Sequence, residues 1–130
     1  MFTTAVLVGM GFPDSSVATA CKAAVGAFAR SLAGELLPLG IRVNAVSPGF
    51  VQTPTMGIHG LTDEERAANQ QQGEDVTPMG RHGSPEEIAA AVLFLAFDAT
   101  FTTGSVVHAD GGLGQGIPLP PPAESRALPT

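Results

Sequence analysis

The sequence contains no tyrosine, no tryptophan and a single cysteine, Cys21, among its 130 residues. A lone cysteine cannot form an intramolecular disulfide, which is typical of a reducing compartment and predicts a cytoplasmic location. Without tyrosine, no phenol is present to act as a proton donor. No apolar run approaches the roughly 20 residues that span a bilayer, and the apolar start at Met1 has no basic region before it. We therefore expect neither a membrane span nor a secretory signal.

Basic residues are also scarce. The sequence has six Lys and Arg but twelve Asp and Glu, which gives a net charge of -6. An acidic surface repels phosphate backbones and anionic lipid, so we expect no nucleic-acid or membrane partner. The 44% hydrophobic content is enough for a folded core, and this length allows one domain. Five prolines follow Ile117 and predict a disordered tail. The sequence thus divides into a domain at 1–114 and a proline-rich tail at 115–130.

Hydrophobic patterning predicts strands that alternate with helices. Residues 1–8, 41–47 and 102–109 contain β-branched residues in short apolar runs, and each is predicted to be a strand. Between the first two, apolar residues of 17–37 recur at helical spacing and predict a helix with one buried stripe. Cys21 belongs to that stripe and is expected to be a small buried hydrophobe. This order is typical of a parallel α/β sheet with right-handed crossovers.

Two capping patterns predict further helices. Thr62 with Glu65, and Ser84 with Glu87, have the spacing of a capping box, in which each side chain satisfies a backbone N–H of the other residue. The first of these helices falls in a polar segment at 55–80. That segment is either a mobile lid or a solvated loop.

Three stretches together resemble the C-terminal half of a short-chain dehydrogenase/reductase. They are 21–36 (CKAAVGAFARSLAGEL), 40–54 (GIRVNAVSPGFVQTP) and 81–88 (RHGSPEEI), with DGG at 110–112 closing the last strand. The resemblance covers about residues 2–113. It implies a partial Rossmann-like, three-layer α/β sandwich with a short parallel sheet, from which the N-terminal nucleotide-binding half is absent.

The resemblance also implies that the catalytic centre is damaged. The family uses a Tyr-x-x-x-Lys pair, in which the lysine holds the nicotinamide ribose and lowers the tyrosine pKa, and a serine that binds the developing oxyanion. Lys22 matches the lysine, but Ala18 stands at the tyrosine position and Ala5 at the serine position. Thr4 and Thr19 are one residue out of register and are not expected to substitute. The chain is expected to be a pseudoenzyme when it acts alone.

The cofactor loop of the family is retained after the second predicted strand. The resemblance implies that NAD(P), if a partner chain supplies the missing half, is bound by Lys22, Pro48, Gly49, Val51 and Thr53. The backbone at Val51 then faces the nicotinamide amide, and the Thr53 hydroxyl helps to hold the cofactor. The alternative is a structural turn after a strand. Gly9 and Gly11 are simple turn glycines, because Asp14 stands where a phosphate-binding turn needs its third glycine.

No metal site is expected, because His59, His82 and His108 lie far apart and have no ligand-like neighbours. Ser47 with one of these histidines would give a hydrolytic dyad, although no G-x-S-x-G elbow is present. Three functions stay open. They are an oxidoreductase completed by a second chain, a catalytically silent binding or structural subunit with a possible small-molecule ligand, and a cofactor-independent enzyme such as a hydrolase.

Two surfaces predict a homo-oligomer, most simply a two-fold dimer. An open apolar edge is expected at residues 2–7, and unpaired strand edges invite pairing. The helix at 17–37 packs against a second subunit in the family. The alternative is a monomer whose proline-rich tail covers the exposed side.

Overall fold

The computed structural model describes residues 1–54 and 60–120 and contains a three-stranded parallel sheet. The strands are β1 (Phe2–Thr3), β2 (Ala45–Pro48) and β3 (Val106–Ala109), with β2 in the middle. The predicted α/β class with a short parallel sheet is therefore confirmed.

Three helices accompany the sheet: α1 (Ser16–Leu36) follows β1, while α2 (Asp63–Val76) and α3 (Pro85–Leu93) lie between β2 and β3. Both predicted capping boxes are confirmed, since the side chains of Thr62 and Ser84 accept the N–H groups of Glu65 and Glu87. Each glutamate in turn accepts the cap residue's N–H at 2.8 Å. The short helical turns are Val6–Gly9, Leu37–Leu39, Phe94–Asp98 and Leu113–Gln115.

The centre of the molecule is β2, in which Ala45 and Val46 are fully buried. Burial on both faces is typical of the middle strand of a parallel sheet covered by helices. On the α1 side, Ala29 and Ala33 form a core cluster with Val43. Small side chains at these positions let the helix lie close to the sheet.

The Arg42 side chain fixes the segment that leads into β2. Its guanidinium donates to the carbonyls of Leu95, Ala96 and Ala99 at 2.7, 2.6 and 3.0 Å. The carbonyl groups at a helix C-terminus have no intrahelical donors. Arg42 supplies donors to this end and so ties the end of the α3 segment to the sheet.

All three strands are shorter than the sequence predicts. β2 and β3 begin later because side chains replace part of the backbone ladder before them. The Ser105 N–H donates to Oδ1 of Asn44 at 3.1 Å, and the Val43 N–H donates to Oγ1 of Thr103 at 3.1 Å. β1 ends early because the backbone turns into the short 3-10 helix Val6–Gly9.

The buried face of α1 differs from the predicted apolar stripe. Ala29 and Ala33 face the core, whereas Cys21 is exposed and Phe28 remains 55% exposed. The prediction of a buried Cys21 is wrong, because α1 is apolar on two sides and its smaller side chains pack against the sheet. Val17 and Phe28 are left at the surface, whereas Leu32 and Leu36 are partly buried against the core cluster.

Two predicted segments lie partly outside the described residues. The polar segment contains α2, but residues 55–59 are not among those described. Of the predicted tail, residues 116–120 have no regular structure, and residues 121–130 lie outside the described part.

Candidate functional site

A cavity of about 570 Å³ lies between α1 and the residues that follow β1. Lys22, Arg30 and Ala5 line it, together with Ser47 from β2 and His108 from β3. It therefore reaches the carboxyl ends of the strands, where open parallel sheets bind ligands. We refer to it below as the Lys22 cavity.

The Lys22 ammonium covers the open edge of β1. Its Nζ donates to the carbonyl oxygen of Thr3 at 3.2 Å. Phe2 and Thr4 donate their N–H groups to the β2 side. Since peptide groups alternate along a strand, the peptide groups of Thr3 point away from β2. Lysine at a strand edge is a common protection against edge-to-edge pairing.

Neither position for a proton-handling side chain carries a hydroxyl. Ala5 lines the Lys22 cavity, and Ala18 is exposed near the start of α1. The neighbouring Thr4 hydroxyl donates to the Val46 carbonyl at 3.2 Å, so its proton is used within the sheet. Of the three family positions, only Lys22 keeps an ionisable group at the cavity, beside Arg30, Ser47 and His108 in its lining.

Close packing against Asp110 is by itself enough to require glycine at position 49. A Cβ at this position would lie 2.8 Å from the Asp110 Cα and 2.9 Å from the Asp110 carbonyl oxygen. The Gly49 N–H also donates to the Ala109 carbonyl at 3.1 Å. Gly49 thus has a structural role that needs no cofactor, and its predicted cofactor role, like that of Pro48, stays a prediction.

The loop beyond Gly49 is fixed by a parallel bridge. Val51 pairs with Gly83, the Gln52 N–H donates to the Gly83 carbonyl, and the Gly83 N–H donates to the Phe50 carbonyl, both at 2.9 Å. Two hydrogen bonds are enough to hold this turn next to the start of α3. The cofactor contacts expected of Val51 and Thr53 remain predictions.

Asp110 organises the turn that closes β3. Its carboxylate is buried and accepts the N–H groups of Gly112 and Gly114 at 2.9 and 3.1 Å and the Gln115 amide at 3.1 Å. The His108 Nδ1 lies 3.7 Å from the same carboxylate. The sequence analysis identified this DGG turn only by its resemblance to the family. Its residue spacing did not predict the hydrogen bonds that the Asp110 carboxylate accepts.

The two histidines that the structure describes lie in different places. His108 is the register partner of Ser47 on β2, and both line the Lys22 cavity. His82 is buried elsewhere, and His59 lies outside the described residues. The structure therefore brings the predicted serine together with one histidine.

His82 docks α2 onto the body of the protein, a role that the sequence analysis missed. Its ring stacks on Phe50 with centroids 5.5 Å apart, and its Nε2 lies 3.0 Å from the Gln70 carbonyl of α2. Gly73 of α2 lies so close that an added Cβ would collide with the imidazole. No sequence spacing signals such a contact between a loop histidine and a helix glycine.

A second cavity, of about 500 Å³, lies beside the start of α3 and is lined by Arg81 and Glu87. The two side chains form a double hydrogen bond at 2.8 and 2.6 Å. Hydrogen bonds from Arg81, and then from the Ser84 backbone N–H, lower the Glu87 pKa to about 2. Glu87 in turn raises the pKa of Arg81. Both side chains are half-exposed, which limits what the pair adds to stability.

The residues that the structure describes form no metal centre, since no three His, Cys, Asp or Glu side chains cluster there. None of the helices in this described part combines the length and hydropathy needed to cross a membrane.

A dinucleotide fits these residues only in part. The resemblance implies a nicotinamide-binding loop at 48–53, but pyrophosphate needs free backbone N–H groups at a helix N-terminus. The segment before α1 instead carries Asp14 in a left-handed conformation (φ 59°), followed by Ser15 at the cap. A carboxylate there repels phosphate, so α1 does not provide the pyrophosphate site.

The chain is similar in sequence to known reductases and dehydrogenases. A protein-family model described as "Enoyl-(Acyl carrier protein) reductase" matches residues 1–114. The chain is 43% identical over 93 residues to a 3-oxoacyl-[acyl-carrier-protein] reductase of Aquifex aeolicus, covering 71% of this chain and 35% of the relative. It is 41% identical over 103 residues to 3beta-hydroxysteroid dehydrogenase 1 of Eggerthella lenta, covering 78% of this chain and 38% of the relative.

A crystal structure of a small-chain dehydrogenase in complex with NADPH is similar in fold as well. The TM-score is 0.78 at 36% identity, and the match covers 88% of this chain and 50% of that chain. The chain thus spans half or less of the length of these relatives.

Proposed function

This chain belongs to the short-chain dehydrogenase/reductase family, and we propose that it does not carry out NAD(P)-dependent redox chemistry on its own. It is an oxidoreductase by lineage and acts as a binding or structural subunit. The observation that carries this proposal is alanine at both proton-handling positions, Ala5 and Ala18. Alanine has no hydroxyl to stabilise an oxyanion or to donate a proton.

The expected loss of rate is large. Removing one oxyanion donor costs about 10²–10³ in rate, and losing a general acid costs a further factor of about 10²–10⁴. Lys22 cannot compensate, because its role in the family is to hold the ribose and to lower the pKa of a phenol that is not there.

The proposal extends to the cofactor. NAD(P) would bind here only together with a partner chain that supplies a phosphate-binding turn, because Asp14 repels phosphate at the start of α1. In this chain the Lys22 ammonium instead bonds to the Thr3 carbonyl.

Thermal denaturation with and without nicotinamide cofactor tests the binding half of the proposal. A ligand at about 100 times its Kd adds ~2.7 kcal/mol to the free energy of unfolding, so binding raises Tm measurably. We expect millimolar NADPH or NADH to leave Tm unchanged. A saturable rise in Tm that Lys22→Met removes, and that Arg66→Met on α2 retains, would contradict the proposal.

We also propose a two-fold homo-oligomer that uses the exposed face of α1. Val17 and Phe28 are 77% and 55% exposed on this helix, and Cys21 is exposed with them. The alternative route along β1 is less favourable, because β1 is only two residues long and Lys22 covers its free carbonyl. The apolar face of α1 therefore has more surface to bury than the strand edge.

Light scattering at micromolar concentration tests this assembly. Phe28→Lys places a charge on the exposed face of α1 and is expected to give a monomer of 13.2 kDa. Phe97→Lys is the matched control, because that phenyl is 72% exposed on the turn after α3. A wild-type mass near 13.2 kDa that persists on concentration would refute the oligomer.

Ester hydrolysis is the second candidate function, favoured by the pairing of Ser47 with His108 and by Asp110 at 3.7 Å from the imidazole. In such a set the histidine takes the serine proton and the carboxylate orients the histidine. Turnover of an activated ester without cofactor, lost in Ser47→Ala, would establish this activity. Equal rates for the wild type and Ser47→Ala would exclude it.

A further inference from the structure

The charged side chains that line the Lys22 cavity are positive, although the chain as a whole is negatively charged. The ionisable side chains that line it are Lys22, Arg30 and His108, and no Asp or Glu of the described residues is among the lining. Over the whole sequence, acidic residues outnumber Lys and Arg by twelve to six. A cavity lined by one sign of charge concentrates ions of the opposite sign. The ligand of this cavity is therefore expected to be an anion.

The two permanent cations arise from backbone positions more than two helical turns apart. Lys22 and Arg30 are eight residues apart on α1, which at ~1.5 Å per residue separates them by about 12 Å along the axis. Within the described part of the chain, the Arg30 side chain forms no hydrogen bond or ion pair. Among the described residues, Lys22 donates only to the Thr3 carbonyl, a neutral acceptor exposed at a strand edge. Each cation is thus available to a separate anionic group.

The wall between the two cations is apolar. On α1 it consists of Ala23, Gly26 and Ala27, and on the opposite side of Val6 and Val8. An apolar chain placed along this wall would lose contact with water at no cost in unpaired polar groups. Of the hydroxyls that line the cavity, that of Thr4 is bonded to the Val46 carbonyl, Ser31 lies beyond Arg30 on α1, and Ser47 lies on β2.

We propose that the Lys22 cavity binds an elongated dicarboxylate, with one carboxylate at Lys22, the other at Arg30 and an apolar chain along Ala23–Ala27. A single full positive charge at each end matches the single charge of a carboxylate. The inference rests on the proposed function only in treating the cavity as a binding site, and it needs no nicotinamide.

Isothermal titration calorimetry with four probes tests the ligand class. Decanedioate carries two charges on a long chain, decanoate carries one, decanediol carries none, and succinate carries two on a short chain. We expect decanedioate to bind at least tenfold more tightly than decanoate or succinate, and decanediol to give no measurable heat. Equal affinity for decanedioate and decanoate, or no binding of decanedioate at millimolar concentration, would overturn the proposal.

Two charge-removing variants test the two ends separately. In Lys22→Gln and in Arg30→Gln, one carboxylate loses its partner, so decanedioate is expected to bind no more tightly than decanoate. Arg66→Gln, which removes a cation from α2, is the matched control and is expected to bind decanedioate as the wild type does. Retention of the preference for decanedioate in either cavity variant would refute the assignment of that end.

A separate measurement of NADPH oxidation on the same samples tests the proposed function. NADPH oxidation in the presence of carbonyl compounds would contradict the proposed loss of redox activity, whatever the dicarboxylate result. Absence of decanedioate binding together with absence of NADPH oxidation would overturn the dicarboxylate site alone.

Discussion

Gly49→Ala separates a structural role of the loop after β2 from a cofactor role. The added Cβ would lie 2.8, 2.9 and 3.0 Å from the Cα, carbonyl oxygen and Cβ of Asp110. Two of these atoms belong to the backbone of a turn held by the Asp110 carboxylate, so they cannot move aside easily. Relief requires that the β2 and β3 ends separate.

The magnitude follows from the cost of overpacking. Inserting a methyl group where backbone leaves no space costs about 1–3 kcal/mol. Small domains have a total stability of about 5–15 kcal/mol, so this is a large fraction. A loss of ~1 kcal/mol lowers Tm by several degrees in a chain of this size.

Thermal denaturation followed by far-UV circular dichroism measures the effect, since the chain has no Trp or Tyr for intrinsic fluorescence. Gly83→Ala is the matched control, because its Cβ would have only ordinary contacts, the nearest at 3.7 Å. We expect Gly49→Ala to lose stability without any cofactor and Gly83→Ala to change little. Equal Tm values for the two variants would refute the structural role of Gly49.

Two further predictions concern stability. Arg42→Met removes three short charge-assisted hydrogen bonds and is expected to lower the free energy of unfolding by about 3 kcal/mol. The control Arg30→Met, at an exposed site, should change it by no more than ~0.5 kcal/mol. Equal midpoints of the two variants in urea denaturation would contradict this. Glu87 has a folded-state pKa of about 2 against an ordinary value of 4.5, so its ion pair stabilises the fold above pH 4.5 and is lost as the pH falls toward 2. The Tm of the wild type should therefore exceed that of Glu87→Gln at pH 7, and the gap should close toward pH 2; a gap that is constant with pH would contradict the assignment.

The features that the sequence predicted correctly are local. The capping boxes at Thr62 and Ser84 depend on residues three apart in one segment, and the alternation of strands and helices depends on short hydrophobic patterns. Each of these patterns depends only on residues of one short segment, so the sequence of that segment is enough to predict it. The cytoplasmic location and the disordered tail stay predictions.

The features that the sequence did not predict depend on contacts between distant segments. Arg42 reaches carbonyls more than fifty positions away, and the Asn44 side chain replaces a backbone partner of Ser105. The exposure of Cys21 depends on which of two apolar faces of α1 meets the sheet. Periodicity predicted one stripe, but it could not show that Ala29 and Ala33, rather than Cys21, would face the sheet.

The absorbance of reduced nicotinamide, followed with this chain and a panel of ketones and 3-ketothioesters, tests the central claim most directly. Ala5 and Ala18 leave no oxyanion donor and no proton donor at the site, so we predict no decrease in NADPH or NADH absorbance beyond a control without protein. A decrease whose rate is proportional to the concentration of the chain would contradict the account.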